Sequence, residues 1–340
     1  VKDTLPKITI VVPFRNIQKQ DQLDHSTFAI FLSSLKSISA LVQEVILVND
    51  HSTDSSVAQV ESFKEFNWKF LSLNKEETGK KTALELGIQE AKTEYIWTLD
   101  SDVEILNVNT SRFEEFQNEL HEDLVILPVI MKSGRTFFES LQCNEWRYMQ
   151  FLTWLSGRLK MPMMCNGANL IFKRSVFLAN IESHRLISSG DDLFLLAETM
   201  RSKGEIGLLW SGFADVVISP VTSLNEAVSQ RLRWAGKTTK IPATKSSILH
   251  FSFALFSAIH LLAVMGCFVA SFQEVSLIFL LAKICFEFIG IQFIFSSRIG
   301  LKEILVLIPQ LVVYPFFSLF IFISSLFFVP KWKGRRVSLK

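Results

Sequence analysis

The sequence predicts an α/β domain with a mixed, mainly parallel sheet and helices on both faces, followed by C-terminal transmembrane helices. Two observations carry that reading. Along residues 1–220, short apolar runs rich in β-branched and aromatic residues alternate with amphipathic stretches, the rhythm of consecutive βαβ units. After about residue 245 charged residues nearly vanish, and the chain that remains is long enough to cross a bilayer more than once.

The strands are "KITIVVP" (Lys7–Pro13), "EVILVND" (Glu44–Asp50), "WKFLSL" (Trp68–Leu73) and "EYIWTLD" (Glu94–Asp100). Between them Ser26–Ser37, Ser55–Phe66 and Lys80–Ala91 predict helices, and Phe137–Leu155 predicts another. In open sheets of this kind ligands gather at the carboxyl ends of strands, where Asp50 and Asp100 stand after "ILVN" and "IWTL". Asp102 follows Asp100 at one residue's remove, so two like charges close one strand. Either a cation bridges them or a surface turn lets water screen them, and the place at a strand end favours chemistry.

Two further clusters follow. In "SSGDDLFLLAETM", Asp191 and Asp192 open a helix led in by Ser188, Ser189 and Gly190. They serve either as helix-end carboxylates favoured by the dipole or as a general base. "SQRLRWAGK" (Ser229–Lys237) reads either as a basic membrane anchor with an interfacial Trp, or as an arginine for phosphate and a Trp for a sugar face.

Three apolar blocks, Ser246–Gln273, Val275–Ser297 and Ile304–Val329, make up the C-terminal third. The second holds Lys283 and Glu287 one helical turn apart, facing a polar path or merely neutralising each other. Arg231, Arg233, Lys237, Lys240 and Lys245 place the start of the first block in the cytoplasm, and Arg298 and Lys302 return to that side. Three complete spans would put the tail "KWKGRR" outside, against the bias of basic residues to the cytoplasmic side; one alternative is that Pro309 and Pro315 break the third block into interfacial or re-entrant pieces and return the tail to the cytoplasm. The 35 basic and 33 acidic residues nearly cancel, which gives no field for nucleic acid. The four cysteines have no paired metal-ligand spacing and fit a reducing compartment. No cleavable leader is visible, and the start at Val1 leaves room for an upstream segment.

Taken in order, "ITIVVPFRN", "EVILVNDHSTDSS", "GKKTALELGI", "TLDSDV", "CNGANLIFKRSVF", "SGDDLFL" and "QRLRW" resemble the motifs of inverting family 2 glycosyltransferases of GT-A (Rossmann-like) fold. The last is similar to the Q-x-x-R-W signature of membrane-bound, often processive synthases of cellulose, chitin, hyaluronan and poly-N-acetylglucosamine. The resemblance covers about residues 7–240. It implies a cytosolic catalytic domain over 1–222, an interfacial helix carrying QRLRW over 223–245, two to three spans over 246–330 and a basic tail over 331–340. The activity implied is transfer of glucose or N-acetylglucosamine from a UDP-sugar to a growing polysaccharide with a β-linkage, or of one sugar to a lipid acceptor. The implied location is the cell membrane, multi-pass, with the catalytic domain facing the cytoplasm and with membrane lipid and either a homo-oligomer or accessory export proteins as partners.

The resemblance also assigns roles. Asp50 contacts the uracil, with Pro13 and Asn16 on the neighbouring loop; Asp100 lies near the ribose and diphosphate; Asp102, with Asp100, holds Mg²⁺ or Mn²⁺. Lys80 is a phosphate contact, with Lys81 the neighbouring alternative. Asp192, beside Asp191, is the catalytic base, and Gln230, Arg233 and Trp234 meet the leaving diphosphate and the acceptor sugar. Trp146 or Trp154 offers a further aromatic plane. Asn49 departs from the usual Asp-Asp pair, and Glu85 replaces the usual Asn after "AL". Two other classes share part of the pattern. An apolar strand followed by Asp-x-Asp-x-Val also fits haloacid dehalogenase-like phosphatases, with Asp100 as nucleophile and Asp102 as acid; a non-catalytic nucleotide-binding membrane protein is the other. The strands preceding Asp100, the QRLRW motif and the intact carboxylates favour the transferase.

Overall fold

Every residue of β1 (Ile8–Phe14) is buried, as expected of a strand covered on both faces. In the computed structural model the described residues are 8–17, 27–63, 65, 67–182, 190–210, 212–238, 245–295, 301–327, 331–332 and 335–336. The chain divides into two units, Val1–Ile130 with Cys165–Ile218, and Met131–Met164 with Ser219–Lys340.

In the first unit β1, β2 (Glu44–Asn49), β3 (Trp68–Ser72) and β4 (Tyr95–Leu99) lie parallel in the order β3-β2-β1-β4. They are linked through α1 (Thr27–Ser39), α2 (Ser56–Ser62) and α3 (Lys80–Glu90), as the alternation predicts. The chain continues through β5 (Glu104–Leu106), α4 (Thr110–Glu119), β6 (Leu124–Ile126) and β7 (Val129–Met131). After α5 (Phe137–Arg158), which belongs to the second unit, come β8 (Asn169–Lys173), α6 (Arg174–Ala179), α7 (Asp191–Arg201), β9 (Ile206–Leu208) and β10 (Asp215–Ile218). The main sheet has seven strands, β3-β2-β1-β4-β8-β6-β9, and β8 runs antiparallel to both β4 and β6. A smaller sheet has the order β5-β10-β7.

Helix α3 buries Ala83, Leu84 and Ile88 in a core shared with Val11, Ile46, Val48, Ile96, Leu170 and Phe172. Gly87 permits the close approach: a β-carbon there would lie 2.5 Å from Val11 Cγ1 and 3.1 Å from Val48 Cγ2. In a second cluster α1 packs Phe28 against Phe14, with ring centroids 5.2 Å apart. Trp97, fully buried on β4, meets Phe213 edge-on at 5.2 Å and donates from its indole nitrogen to Asn169 Oδ1 at 2.9 Å.

The second unit is helical. Thr136 and Glu139 form a reciprocal capping box that starts α5. The other helices are α8 (Leu224–Thr238), α9 (Lys245–Gly266), α10 (Gln273–Phe295) and α11 (Leu301–Phe327), followed by a short hairpin of β11 (Lys331–Trp332) and β12 (Arg335–Arg336). Of the two alternatives for the third block, the break at Pro309 and Pro315 does not occur, since both lie inside α11. A proline deprives the carbonyl four residues before it of its helical donor. For Pro315 that carbonyl is Leu311, and the buried imidazole of His260 on α9 lies close to it, a polar neighbour of the kind that lets an apolar helix keep a proline. Among the described residues one helical stretch, Ile304–Phe327, is long and apolar enough to cross a membrane, with mean hydropathy 2.3. Two to three spans are therefore not supported by the described residues, where the apolar part of α9, Leu255–Gly266, is shorter. Within α10, Lys283 and Glu287 are buried and bonded to each other, with the ammonium 5.8 Å above the Tyr148 ring. Lys240 and Arg298, which bore on the orientation in the membrane, lie outside the described residues.

Gly87→Ala is expected to lower stability by about 1–3 kcal/mol, the cost of overpacking a filled core. A denaturant midpoint equal to that of the parent would refute the close α3 packing.

Candidate active site

Parallel pairing brings the C-terminal ends of β1, β2 and β4 to one edge of the sheet. Phe14 pairs with Asn49, and Val11 with Thr98, so Arg15, Asn16, Asp50 and Asp100 all emerge there. Helix α3 runs back across the sheet, so Lys80 in its first turn starts at the same edge; Gly79, at φ 109°, makes the turn into it. Because β8 is antiparallel to β4, with Asn169 opposite Leu99, the loop that precedes β8 also reaches this edge.

Asp50 has a side chain only 1 % exposed, and its N–H donates to the Phe14 carbonyl at 3.0 Å. The Arg15 guanidinium lies 3.5 Å from Asp50 Oδ1 and donates to the Asp50 carbonyl at 3.3 Å. Asn16 takes a left-handed φ of 40°, which an asparagine tolerates. Its side-chain carbonyl accepts the Thr53 N–H at 2.7 Å, and its own N–H donates to Ser52 Oγ at 3.2 Å. Pro13 is buried within β1 opposite Val48. Asn49 has a local role: its side-chain oxygen accepts the Ser52 N–H at 2.9 Å and shapes the turn after β2. Glu85 is buried on α3 and accepts from Gln89 at 3.3 Å. Arg15 was not singled out in the sequence, although it stands between Pro13 and Asn16 in the same "PFRN" stretch.

Asp100 leaves β4 and enters a turn through Ser101 and Asp102 before β5. Lys80 Nζ donates to Asp100 Oδ1 at 2.5 Å, and both side chains are about one-third exposed, 35 % and 30 %. Burial acts to lower the Lys80 pKa. The Asp100 charge and hydrogen bond, followed by the charges of Asp191 and Asp192, outweigh burial and hold it above its ordinary value. Lys80 therefore feels carboxylates from two stretches of the chain, Asp100 and, about ninety residues later, Asp191 and Asp192. Asp102 is exposed. Among the described residues no group of three or more His, Cys, Asp or Glu side chains could hold a metal ion by itself. A Mg²⁺ or Mn²⁺ site of one or two carboxylates completed by phosphate and water fits the hard oxygen donors of Asp100 and Asp102.

Helix α7 begins at Asp191, after Gly190 in the left-handed conformation at φ 96°, and has no side-chain cap bond. Asp192 is thus placed as a bridge rather than an N-cap. Its Oδ1 accepts the Leu193 N–H at 2.9 Å and its Oδ2 the Gly167 N–H at 3.2 Å, while Cys165 Sγ donates to its carbonyl at 3.2 Å. The loop of "CNGAN" therefore holds the first turn of α7. Ser188 and Ser189 lie outside the described residues.

Gln230, Arg233 and Trp234 lie on α8 in the second unit, each half-buried. Trp234 stands 5.6 Å from Trp146 of α5, tilted by 48°. Trp146 is buried, and Trp154 stacks on Phe151 at 6.5 Å.

Residues 9–177, which include β1–β4, the Lys80–Asp100 pair and the loop that holds Asp192, match the family described as glycosyl transferase family 2. The chain is a family 2 glycosyltransferase. The transferase has the fold of the mannosyltransferase PcManGT from Pyrobaculum calidifontis, solved with GDP-Man and Mn²⁺, at TM-score 0.52 and 14 % identity over 95 % of this chain and 86 % of that one. S. aureus TarS 1-349 gives TM-score 0.46 and 19 % identity over 75 % of this chain and 74 % of that one. Glucosyl-3-phosphoglycerate synthase from Mycobacterium tuberculosis, solved with Mn²⁺ and UDP-Glc, gives 0.44 and 16 % over 70 % and 81 %. Comparison with curated protein sequences gives no match.

The raised Lys80 pKa fixes the sign of one pH effect. A lysine whose folded pKa exceeds its unfolded value stabilises fully below the unfolded value, and that contribution is lost as pH rises through the folded one. Denaturant midpoints measured from about pH 8 to pH 12 are expected to fall less steeply above about pH 10.5 in Lys80→Met than in the parent. Identical slopes would contradict the pairing.

Proposed function

We propose that the transferase moves a sugar, glucose or N-acetylglucosamine, from a UDP-sugar to an acceptor hydroxyl with inversion at the anomeric carbon. The observation that carries this reading is Lys80, bonded to Asp100 and within electrostatic reach of Asp191 and Asp192 at one sheet edge. Asp50, oriented by Arg15, receives the uracil together with Pro13 and Asn16. Lys80 and Asp100 position the ribose and diphosphate, with Lys80 supplying a fixed positive charge. Asp100 and Asp102 would hold a Mg²⁺ or Mn²⁺ ion that neutralises charge on the leaving diphosphate. Asp192, anchored through Gly167 and Leu193, takes the proton of the acceptor hydroxyl. The new bond from the acceptor oxygen to C1 forms on the face opposite the diphosphate. The old bond from C1 to the diphosphate oxygen breaks, and UDP carries away its electron pair. PcManGT, which shares the fold, is described with a nucleotide sugar and Mn²⁺, in keeping with this donor class.

Gln230, Arg233 and Trp234 are assigned to the leaving diphosphate and the acceptor on the strength of the sequence signature. That signature favours a growing polysaccharide over a lipid acceptor. We place the catalytic unit at the cytoplasmic side of the cell membrane. Large apolar side chains such as Leu305, Ile308, Val313, Phe320 and Ile323 on α11 are exposed, and a surface of that kind is suited to lipid.

The test is UDP release by the full chain in detergent from UDP-glucose and UDP-N-acetylglucosamine, with Mn²⁺, Mg²⁺ or EDTA. Metal-dependent release from one donor is expected, falling by at least about 100-fold in Asp192→Ala and in Asp102→Ala. If no UDP-sugar is bound or turned over with either metal, the reading is wrong.

A further inference from the structure

The second unit contains a buried ion pair that the chemistry above does not use. Arg231, the residue after Gln230 in QRLRW, is 6 % exposed. Its Nη2 donates to Glu145 Oε2 on α5 at 2.7 Å, and its Nη1 donates to Gln230 Oε1 at 2.8 Å and to Gln142 Oε1 at 3.5 Å. Its guanidinium carbon lies 5.3 Å from the Trp234 ring centroid, and that ring in turn leans on Trp146 of α5. Gln142 also donates to the Val221 carbonyl at 2.8 Å and accepts the Val221 N–H at 3.2 Å, fixing the chain as it enters α8.

A buried guanidinium persists when its charge is paired, and in Arg231 both terminal nitrogens, Nη1 and Nη2, are also hydrogen-bonded. Here the partners are chosen in a particular way. One arm is neutralised by α5, and the other holds the carbonyl end of the Gln230 amide, so that side chain is presented through its NH₂ donors. The guanidinium also meets the face of Trp234, a contact that fixes the plane of the ring.

We propose that Arg231, held by Glu145, is a positioning residue of the acceptor site. It sets Gln230 as a hydrogen-bond donor and Trp234 as a stacking plane for a hydroxyl-rich acceptor. The proposal rests on the reading of Gln230 and Trp234 as acceptor-facing. Lysine keeps the charge but not the planar fork, so it cannot hold Glu145, Gln230 and the ring together.

The full chain in detergent is compared with Arg231→Lys and Glu145→Gln. UDP release is measured without acceptor, then with a tetrasaccharide of the donor's sugar and with a polyprenyl phosphate as probe acceptors. Both variants are expected to raise the KM of the acceptor that the parent uses by at least about tenfold, while acceptor-free UDP release and donor KM stay within about twofold. Tryptophan emission should shift in Arg231→Lys as the planar guanidinium leaves the Trp234 face. An unchanged acceptor KM in Arg231→Lys overturns the proposal, as does an equal rise in donor KM, which marks a general structural role. A parent that releases no UDP from any donor is a failure of the glycosyl-transfer reading instead; an unchanged tryptophan emission in Arg231→Lys then overturns the positioning role by itself.

Discussion

Antiparallel pairing of β8 with β4, which sets Asn169 opposite Leu99, is the constraint on which the candidate site depends. Strands β1, β2 and β4 bring Asp50 and Asp100 to one edge by themselves, but the residues of "CNGAN" and α7 come from much later in the chain. Only a strand that starts at that edge can bring them there. The register is held by the Trp97 indole bonded to Asn169, whose amide in turn donates to the Pro128 carbonyl at 2.7 Å. All three groups are inside the protein, so a slip of one residue would strand them without partners and turn the apolar side chains of β8 to the wrong face.

Electrostatics then explains why carboxylates tolerate this crowding. Asp50 is answered by Arg15 and Asp100 by Lys80. Lys80 also lowers the repulsion between Asp100 and the pair Asp191 and Asp192, since a cation near several anions interacts favourably with each. Such an edge is already balanced for a doubly charged diphosphate only if further positive charge arrives with it, which is the physical case for a divalent ion. The second unit solves a similar problem with Arg231 and Glu145, and there the charge pair orders neighbouring side chains.

Much of the first unit was legible in the sequence because its signals are local. The apolar runs at β1, β2 and β4 are five to seven residues long and fully or almost fully buried, so composition alone marks them. Helix α3 was likewise readable within a residue of its end. Strands β6 and β9 were not, since three residues carry no period. The antiparallel course of β8 was also hidden, because its partners on β4 lie 70 or more residues away and leave no local pattern. Among the site residues, Asp50, Lys80, Asp100 and Asp192 could be marked by motif, and the structure brings them to one edge. Arg15 and Arg231 were missed as partners for the same reason as β8: their carboxylates lie 35 and 86 residues away. The prolines of α11 left the third block undecided because the helix-breaking rule is local, whereas His260 comes from another helix.

The central claim is that the edge carrying Asp100 and Asp102 takes a divalent ion together with a nucleotide diphosphate. The most direct measurement is the electron paramagnetic resonance of Mn²⁺ titrated into the full chain with and without UDP, for the parent and Asp102→Asn. With two protein carboxylates and the remaining ligands drawn from phosphate and water, Mn²⁺ should bind tightly only when UDP is present, and the signal of bound ion should be lost in the variant. Binding of Mn²⁺ that is equal with and without UDP, or that survives in Asp102→Asn, would contradict the account.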